Sequence, residues 1–234
     1  GCAGGVGTTT ICINIAQALG ARKPTLVIDA AWPLGAVAHL LAIPVQAGLP
    51  ELLQEEVTAE TLEAYLAGGQ AGVRFRYLNG FSALPSPPCS TDITPLLQSA
   101  RPLAPNVLVD LGDCSAPFAS TALRAADVVV MVTALERTHV AHLRAYLQYM
   151  DALGVRRSRR ILVGNRLRPS PIGLREMQRS LGEDIFLIVP YEGERLAQCV
   201  ADGRLLITQH PGCAAAISLA ELASSVTREI AVEA

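Results

Sequence analysis

Much that would mark a membrane, secreted or metal-cluster protein is missing from this chain. No apolar run approaches the roughly 18 residues a spanning helix needs, and the opening residues do not read as a signal peptide. The expectation is a cytoplasmic protein. The six cysteines (Cys2, Cys12, Cys89, Cys114, Cys199, Cys213) form no CxxC pair and no metal-ligand spacing with the four histidines, so reduced and mostly buried thiols are expected. Aromatic residues are scarce at 4%, and no internal repeat is visible. The net charge of −2 supplies no global drive toward nucleic acid.

What remains is aliphatic. Half of the 234 residues are hydrophobic, as expected where Val, Ile, Leu and Ala build parallel strands and the helices that cover them. Buried strands are predicted over 25–30 (TLVIDA), 106–112 (NVLVDLG), 127–134 (DVVVMVTA), 160–166 (RILVGNR) and 185–190 (IFLIVP). Asp29 and Asp110 then fall at strand C-termini, the edge of a parallel sheet where ligands bind. Each could also serve only to cap its strand. The predicted fold is α/β, a doubly wound and mostly parallel sheet with helices on both faces, in one domain spanning 1–234.

The first ten residues, GCAGGVGTTT, have the layout of a phosphate-binding loop. The general pattern, G-x-x-x-x-G-K-[ST], uses backbone N–H groups to cradle phosphates, a lysine to meet the terminal phosphates and a hydroxyl to ligate Mg²⁺. Gly4, Gly5 and Gly7 stand where the loop must bend and let its backbone approach an anion. Thr9 holds the hydroxyl position, and the helical run that follows would aim its N-terminus at the phosphate. Cys2 replaces the first glycine of the pattern and Thr8 its lysine. A glycine-rich turn before a helix is the plainer reading of the loop taken alone.

These landmarks, in this order, resemble the deviant Walker A ATPases of the MinD/ParA type, whose loop reads KGGVGKT. The corresponding letters here are Ala3-Gly4-Gly5-Val6-Gly7-Thr8-Thr9. The likeness runs on through Asp110, the Asn165-Arg166 pair and the Pro190 turn to the terminal helix. Within that superfamily, the loop without its second lysine, the "LPSPP…ITPLL" stretch and the late "VADGRLL" segment look most like the TadZ/CpaE proteins, atypical ATPases that localise the tight-adherence (Flp) pilus assembly and secretion machinery. The resemblance implies a P-loop NTPase-like fold and ATP with Mg²⁺ as cofactors. It implies nucleotide contacts from Gly4, Gly5, Val6, Gly7, Thr8, Thr9, Thr10, Asp29, Asp110, Asn165, Arg166 and Pro190, with Thr9, Asp29 and Asp110 on the metal side. Asn165 would meet the adenine edge, though a simple loop asparagine reads nearly as well, and Glu192 would lie near the base or cap a helix. The implied partners are a second copy of the chain and pilus or secretion proteins, which would recruit it to the cell pole or inner membrane.

The chain also departs from that pattern. The first lysine of KGGVGKT reaches the partner's phosphates in a nucleotide-sandwich dimer, and Ala3 cannot. The second neutralises the β- and γ-phosphates, where Thr8 offers only a neutral hydrogen bond. The strand after the loop helix usually ends in D-x-D, the second carboxylate positioning water; here it reads Asp29-Ala30-Ala31. Phosphoryl transfer depends almost wholly on positioning and electrostatic stabilisation, and loss of one well-placed group costs on the order of 100-fold or more in rate. No catalytic residue is therefore assigned, and binding is expected to survive better than hydrolysis. Three readings follow: a nucleotide-occupied localisation scaffold with weak or no hydrolysis, an active ParA/MinD-like ATPase in positioning or DNA partition, and a nucleotide-free platform. The joint loss at Ala3, Thr8 and Ala31 favours the first.

Other segments carry less. A phosphate-binding loop normally follows its own central strand, so that strand is expected upstream of residue 1, and the resemblance to TadZ/CpaE proteins implies a receiver-like domain before it. Residues 44–105 read as acidic helices with Thr58 as an N-cap, a short strand over 74–78 and a proline-fixed loop over 84–89. The cluster Arg156, Arg157, Arg159 and Arg160 could bind DNA phosphates but reads better as a solvated loop. The chain's last stretch, from VADGRLL onward, reads as one amphipathic helix packed on the sheet. With Arg228 its only basic residue after 217, it lacks the basic face of a membrane-surface helix.

Overall fold

The computed structural model describes residues 1–84, 92–167 and 174–233. The proline-fixed loop therefore lies, beyond Leu84, outside the described residues, as do Cys89 and the side chain of Arg166. The strands are β1 (Thr25–Asp29), β2 (Leu66–Ala67), β3 (Arg76–Leu78), β4 (Asn106–Asp110), β5 (Val129–Ala134), β6 (Arg160–Leu167) and β7 (Leu187–Pro190). They pair in the orders β2-β3-β1-β4 and β5-β6-β7. Every pairing is parallel except the short β2 against β3.

The pattern of β1 shows why. All five of its residues are buried, and its side chains alternate between two cores: Leu26 and Ile28 join the larger cluster, Val27 a second one with Ile13, Val37 and Tyr77. A strand buried on both faces must be aliphatic throughout and covered on both sides. Each such side chain contributes roughly 1.5–3 kcal/mol by leaving water. The helices α1 (Thr8–Gly20), α7 (Arg137–Ala152) and α11 (Ala214–Glu233) supply most of the cover, joined by α2 (Val37–Leu40), α3 (Leu49–Leu52), α4 (Ala59–Tyr65), α5 (Thr94–Ala100), α6 (Ala119–Ala125), α8 (Leu174–Leu181), α9 (Gly193–Ala201) and α10 (Leu206–Gln209). On α7, Val140, Leu143, Leu147 and Met150 repeat at helical spacing, and all four are buried. Among the described residues no helix is long and apolar enough to cross a membrane.

The two strand sets do not pair with each other directly. Residues 1 and 2 sit between them: the Gly1 nitrogen donates to the Gly112 carbonyl (2.5 Å) and the Cys2 N–H to the Val132 carbonyl (3.0 Å). Behind this bridge lies an apolar groove of about 400 Å³, walled by β4 (Val107 to Val109), β5 (Val130 to Val132) and the Ile11 and Ile15 side of α1.

Two sequence expectations change in detail. The single terminal helix is divided into α9, α10 and α11, because Gly203 adopts a left-handed φ of 62° and Pro211-Gly212 interrupts the chain before α11. The arginine cluster is not one solvated loop. Arg156 and Arg157 are exposed, but Arg160 begins β6 and its side chain is buried between Asp151 (2.6 Å) and Glu183 (3.1 Å), also donating to the Val155 carbonyl. A guanidinium spent on two carboxylates is unavailable to an outside phosphate. The Thr58 cap is present as read, closed by a reciprocal hydrogen bond with Thr61.

Candidate nucleotide site

The glycine loop is held from three sides. Besides the two bridging bonds to Gly112 and Val132, the Asn165 Nδ2 at the end of β6 donates to the Val6 carbonyl (2.7 Å). Gly5 and Gly7 adopt φ of 75° and 91°, a region that side chains other than glycine's resist. Gly7 immediately precedes α1, and its carbonyl accepts the Ile11 N–H (3.0 Å). The unpaired N–H groups of the first turn of α1, at Thr8, Thr9 and Thr10, therefore follow directly on the loop, the arrangement that favours an anion. Two buried amides keep α1 in register. Asn14 bonds the Thr10 carbonyl (2.8 Å) and the Ile207 N–H (3.0 Å), and Gln17 bonds Gly72, Arg74 and Thr208.

Beside the loop opens a cavity of about 860 Å³. Gly4, Gly5, Val6, Gly7 and Thr10 form one wall, and Asn165, Pro190 and Glu192 another. The structure thus brings the loop, Asn165 and Pro190 to one cavity. Thr8 faces the other way, into the groove between β4 and β5, where Asp110 also lies. The ionisable side chains lining the cavity among the described residues are Glu136, His139, Tyr191 and Glu192; no lysine or arginine does so. Glu192 is paired with Arg195 (2.7 Å). His139 Nδ1 is buried, has no hydrogen-bond partner and lies 3.7 Å from the Glu136 carboxylate. Glu136 and His139 escaped sequence reading. The only available signal was their place just past the C-terminus of a parallel strand, the edge where ligands bind. Lys23, the single lysine of the sequence, is exposed between α1 and the start of β1 and does not line the cavity.

The two strand-end carboxylates differ in their freedom. Asp29 accepts N–H bonds from Ala36 and Val37 on one oxygen (both 2.8 Å) and from Ala31 on the other (3.4 Å). Gly35 and Gly80 press on it so closely that a Cβ at either would overlap the carboxyl group. Burial nevertheless outweighs these donors and raises its pKa to about 6, with the Asp110 charge adding to the rise. Asp110 accepts the Gly112 N–H on Oδ1 (3.0 Å), while its Oδ2 is buried with no partner. A buried carboxylate oxygen left unsatisfied is costly unless something cationic meets it. It fits the oxygen-donor set that Mg²⁺ prefers. Nearby, burial and then the carboxylates of Asp110 and Asp29 push the Cys12 thiol well up, so it stays protonated.

The position after Asp29-Ala30 is apolar. Ala31 is buried against Gly112, and Trp32 packs edge-on to Phe81 (5.2 Å between centroids) and Phe118 (6.4 Å).

The backbone arrangement can be matched to known proteins. A ParA family ATPase from Chlorobium tepidum TLS superposes with a TM-score of 0.84 over 95% of this chain and 94% of its own, at 17% identity. The fold is that of the MinD/ParA-type ATPases. A chain of the MinC:MinD cell division protein complex from Aquifex aeolicus gives 0.80 over 97% and 93%, at 19% identity. The septum site-determining protein MinD complexed with Mg-ADP from Pyrococcus horikoshii OT3 gives 0.75 over 99% and 95%, at 18% identity. No family model and no curated protein sequence matches the chain.

Proposed function

We propose that this chain binds ATP with Mg²⁺, dimerises under its control, and serves as a positioning or scaffold protein that hydrolyses the nucleotide weakly or not at all. The observation that carries the reading is the glycine loop, with Gly5 and Gly7 in the left-handed region, over a cavity lined among the described residues by no lysine or arginine. Backbone N–H groups supply the affinity for phosphate. Bound Mg²⁺ would neutralise phosphate charge; by the resemblance Thr9 and Asp110 would hold it, although Asp110 lines the groove behind the loop rather than the cavity. The unpartnered Asp110 Oδ2 supports that role, whereas Asp29, on the metal side by resemblance, spends its oxygens on three N–H groups. Across the cavity from the loop stand Pro190 and Glu192; a base contact from Asn165 and Arg166 rests on the resemblance alone.

Hydrolysis fails for a local reason. Thr8 carries no charge and lines the groove rather than the cavity, and where a second carboxylate would orient water stand the buried Ala31 and the Trp32, Phe81 and Phe118 cluster. Losing both effects costs several orders of magnitude in rate. The sequence features that resemble TadZ/CpaE extend the proposal to the assembly of Flp (Tad) pilus and secretion machinery, in the cytoplasm, with recruitment to a pole or inner membrane through partners. The structural relatives include a MinD in complex with MinC, a precedent for partner binding on this fold.

Calorimetry with Mg²⁺ and ATP or ADP, alongside light scattering, tests this. With no lysine or arginine lining the cavity among the described residues to read the γ-phosphate, ATP and ADP are expected to bind with similar affinity. Thr9→Ala weakens both. Absence of saturable binding in the wild type, with a dimer already formed, overturns the proposal in favour of a nucleotide-free platform.

A further inference from the structure

Asn165 occupies an unusual point in the fold. It pairs with Ala134 of β5 and Val189 of β7, and the register between β6 and β7 shifts directly after it, so that Leu167 rather than residue 166 faces Pro190. Such an irregularity re-aims the side chains beside it. The Asn165 side chain leaves the strand end, crosses to the glycine loop, and donates Nδ2–H to the Val6 carbonyl in a buried bond of 2.7 Å. A Cβ placed on Gly7 would overlap that same nitrogen. The amide therefore fixes the peptide that precedes Gly7, and lies where any residue but glycine would stand. It also lines the cavity, beside Pro190.

We propose that Asn165 is a positioning residue for phosphate binding: through its bond to Val6 it holds the loop's amides in their anion-accepting arrangement. This rests on the nucleotide-binding reading above and departs from a base-reading asparagine in a measurable way. A group that touches the base changes the affinity of nucleoside and nucleotide by the same factor. One that acts through the loop changes only the increment due to the phosphates. The buried Val6 carbonyl, robbed of its donor, has reason to turn toward water, and the turn rotates the Gly7 peptide with it.

The variant Asn165→Leu keeps the side-chain shape and removes the donor. Adenosine and ADP affinities are compared by calorimetry in wild type and variant. Amide hydrogen exchange is read at Gly7, Thr8 and Thr9, with Leu162 and Val163 of β6 as internal controls. ADP binding falls roughly tenfold, from the loss of one buried hydrogen bond, while adenosine stays within about twofold. Exchange at the three loop amides accelerates by a similar factor and the controls stay unchanged. An equal loss for adenosine and ADP overturns the proposal in favour of base contact, and unchanged loop exchange overturns it outright. If the wild type binds neither ligand, the nucleotide reading fails, while the exchange measurement still decides whether Asn165 holds the loop.

Discussion

Asp29 shows how one carboxylate can be saturated with hydrogen bonds and still be uncomfortable. Its three N–H partners close the turn from Ala31 to the start of α2, yet burial lifts its pKa from 3.8 to about 6. The folded state therefore holds this proton more tightly than the unfolded state does. Between those two values the folded form binds more protons, so stability rises as pH falls through 6 and is lost again as pH rises through it. From pH 7.5 to pH 5 the gain is roughly 1 kcal/mol for a shift of this size. Urea unfolding at pH 7.5, 6 and 5 measures it, and Asp29→Asn is expected to flatten that part of the profile. A profile equally steep in the variant assigns the dependence to another group. The position of Asp29 was legible in the sequence from its place after TLVI. Its commitment to three N–H groups was not, because the donors come from the backbone of residues 31 to 37, where no pattern of side chains marks them.

At the scale of elements, parallel strands were the most legible parts because burial on both faces leaves continuous aliphatic runs that nothing else imitates. TLVID and VVMVTA read as strands on composition alone, and both are. The terminal segment was harder: its apolar spacing continues across residues 203 and 211–212, and only backbone geometry stops it there. Arg160 was read with its neighbours for the opposite reason. Four arginines close together suggest one solvated surface, and the sequence does not disclose that Asp151, from the end of α7, and Glu183, after α8, converge on the fourth. Arg160 therefore fastens three elements at the end of the β5-β6-β7 sheet. Arg160→Met takes from Glu183, nearly buried, its partner at 3.1 Å and leaves it Arg157 at 3.7 Å. Removing one member of a buried pair costs about 3–5 kcal/mol. Arg157 places the loss at the lower end. The double variant Arg160→Met, Glu183→Leu should recover much of it, since the desolvated charge is gone. Equilibrium denaturation of the three proteins decides, and a double variant no better than the single one would show that packing, not charge, dominates.

For the molecule as a whole, the question is how two strand sets act as one. β4 and β5 stand on either side of an apolar groove of about 400 Å³, and the hydrogen bonds of Gly1 and Cys2 tie them together at one end. Val107, Leu108 and Val109 are only partly buried although they belong to a central part of the fold. β4 and β5 each stand at the edge of their strand set, and two strand edges flanking an apolar slot make a template for one more strand. Chain direction sets its orientation: a segment leading into Gly1 would run parallel to both neighbours, with its last peptide next to the Cys2 rung already made to Val132. Adding six residues such as Thr-Val-Ile-Val-Val-Ser ahead of Gly1 is therefore expected to raise Tm, by roughly 2–4 °C for each kcal/mol of net gain in a protein of this size. The same extension with proline at alternate positions lacks the donors for either neighbour and should leave Tm where it was. Equal Tm values for the two extensions would mean that the groove does not accept a strand. Because the added strand would run directly into the glycine loop, its second effect belongs to the site: a loop fixed at its entrance as well as by Asn165 has less conformational freedom to lose when it closes on phosphate, so ADP affinity should rise along with Tm, and only for the extension that can pair.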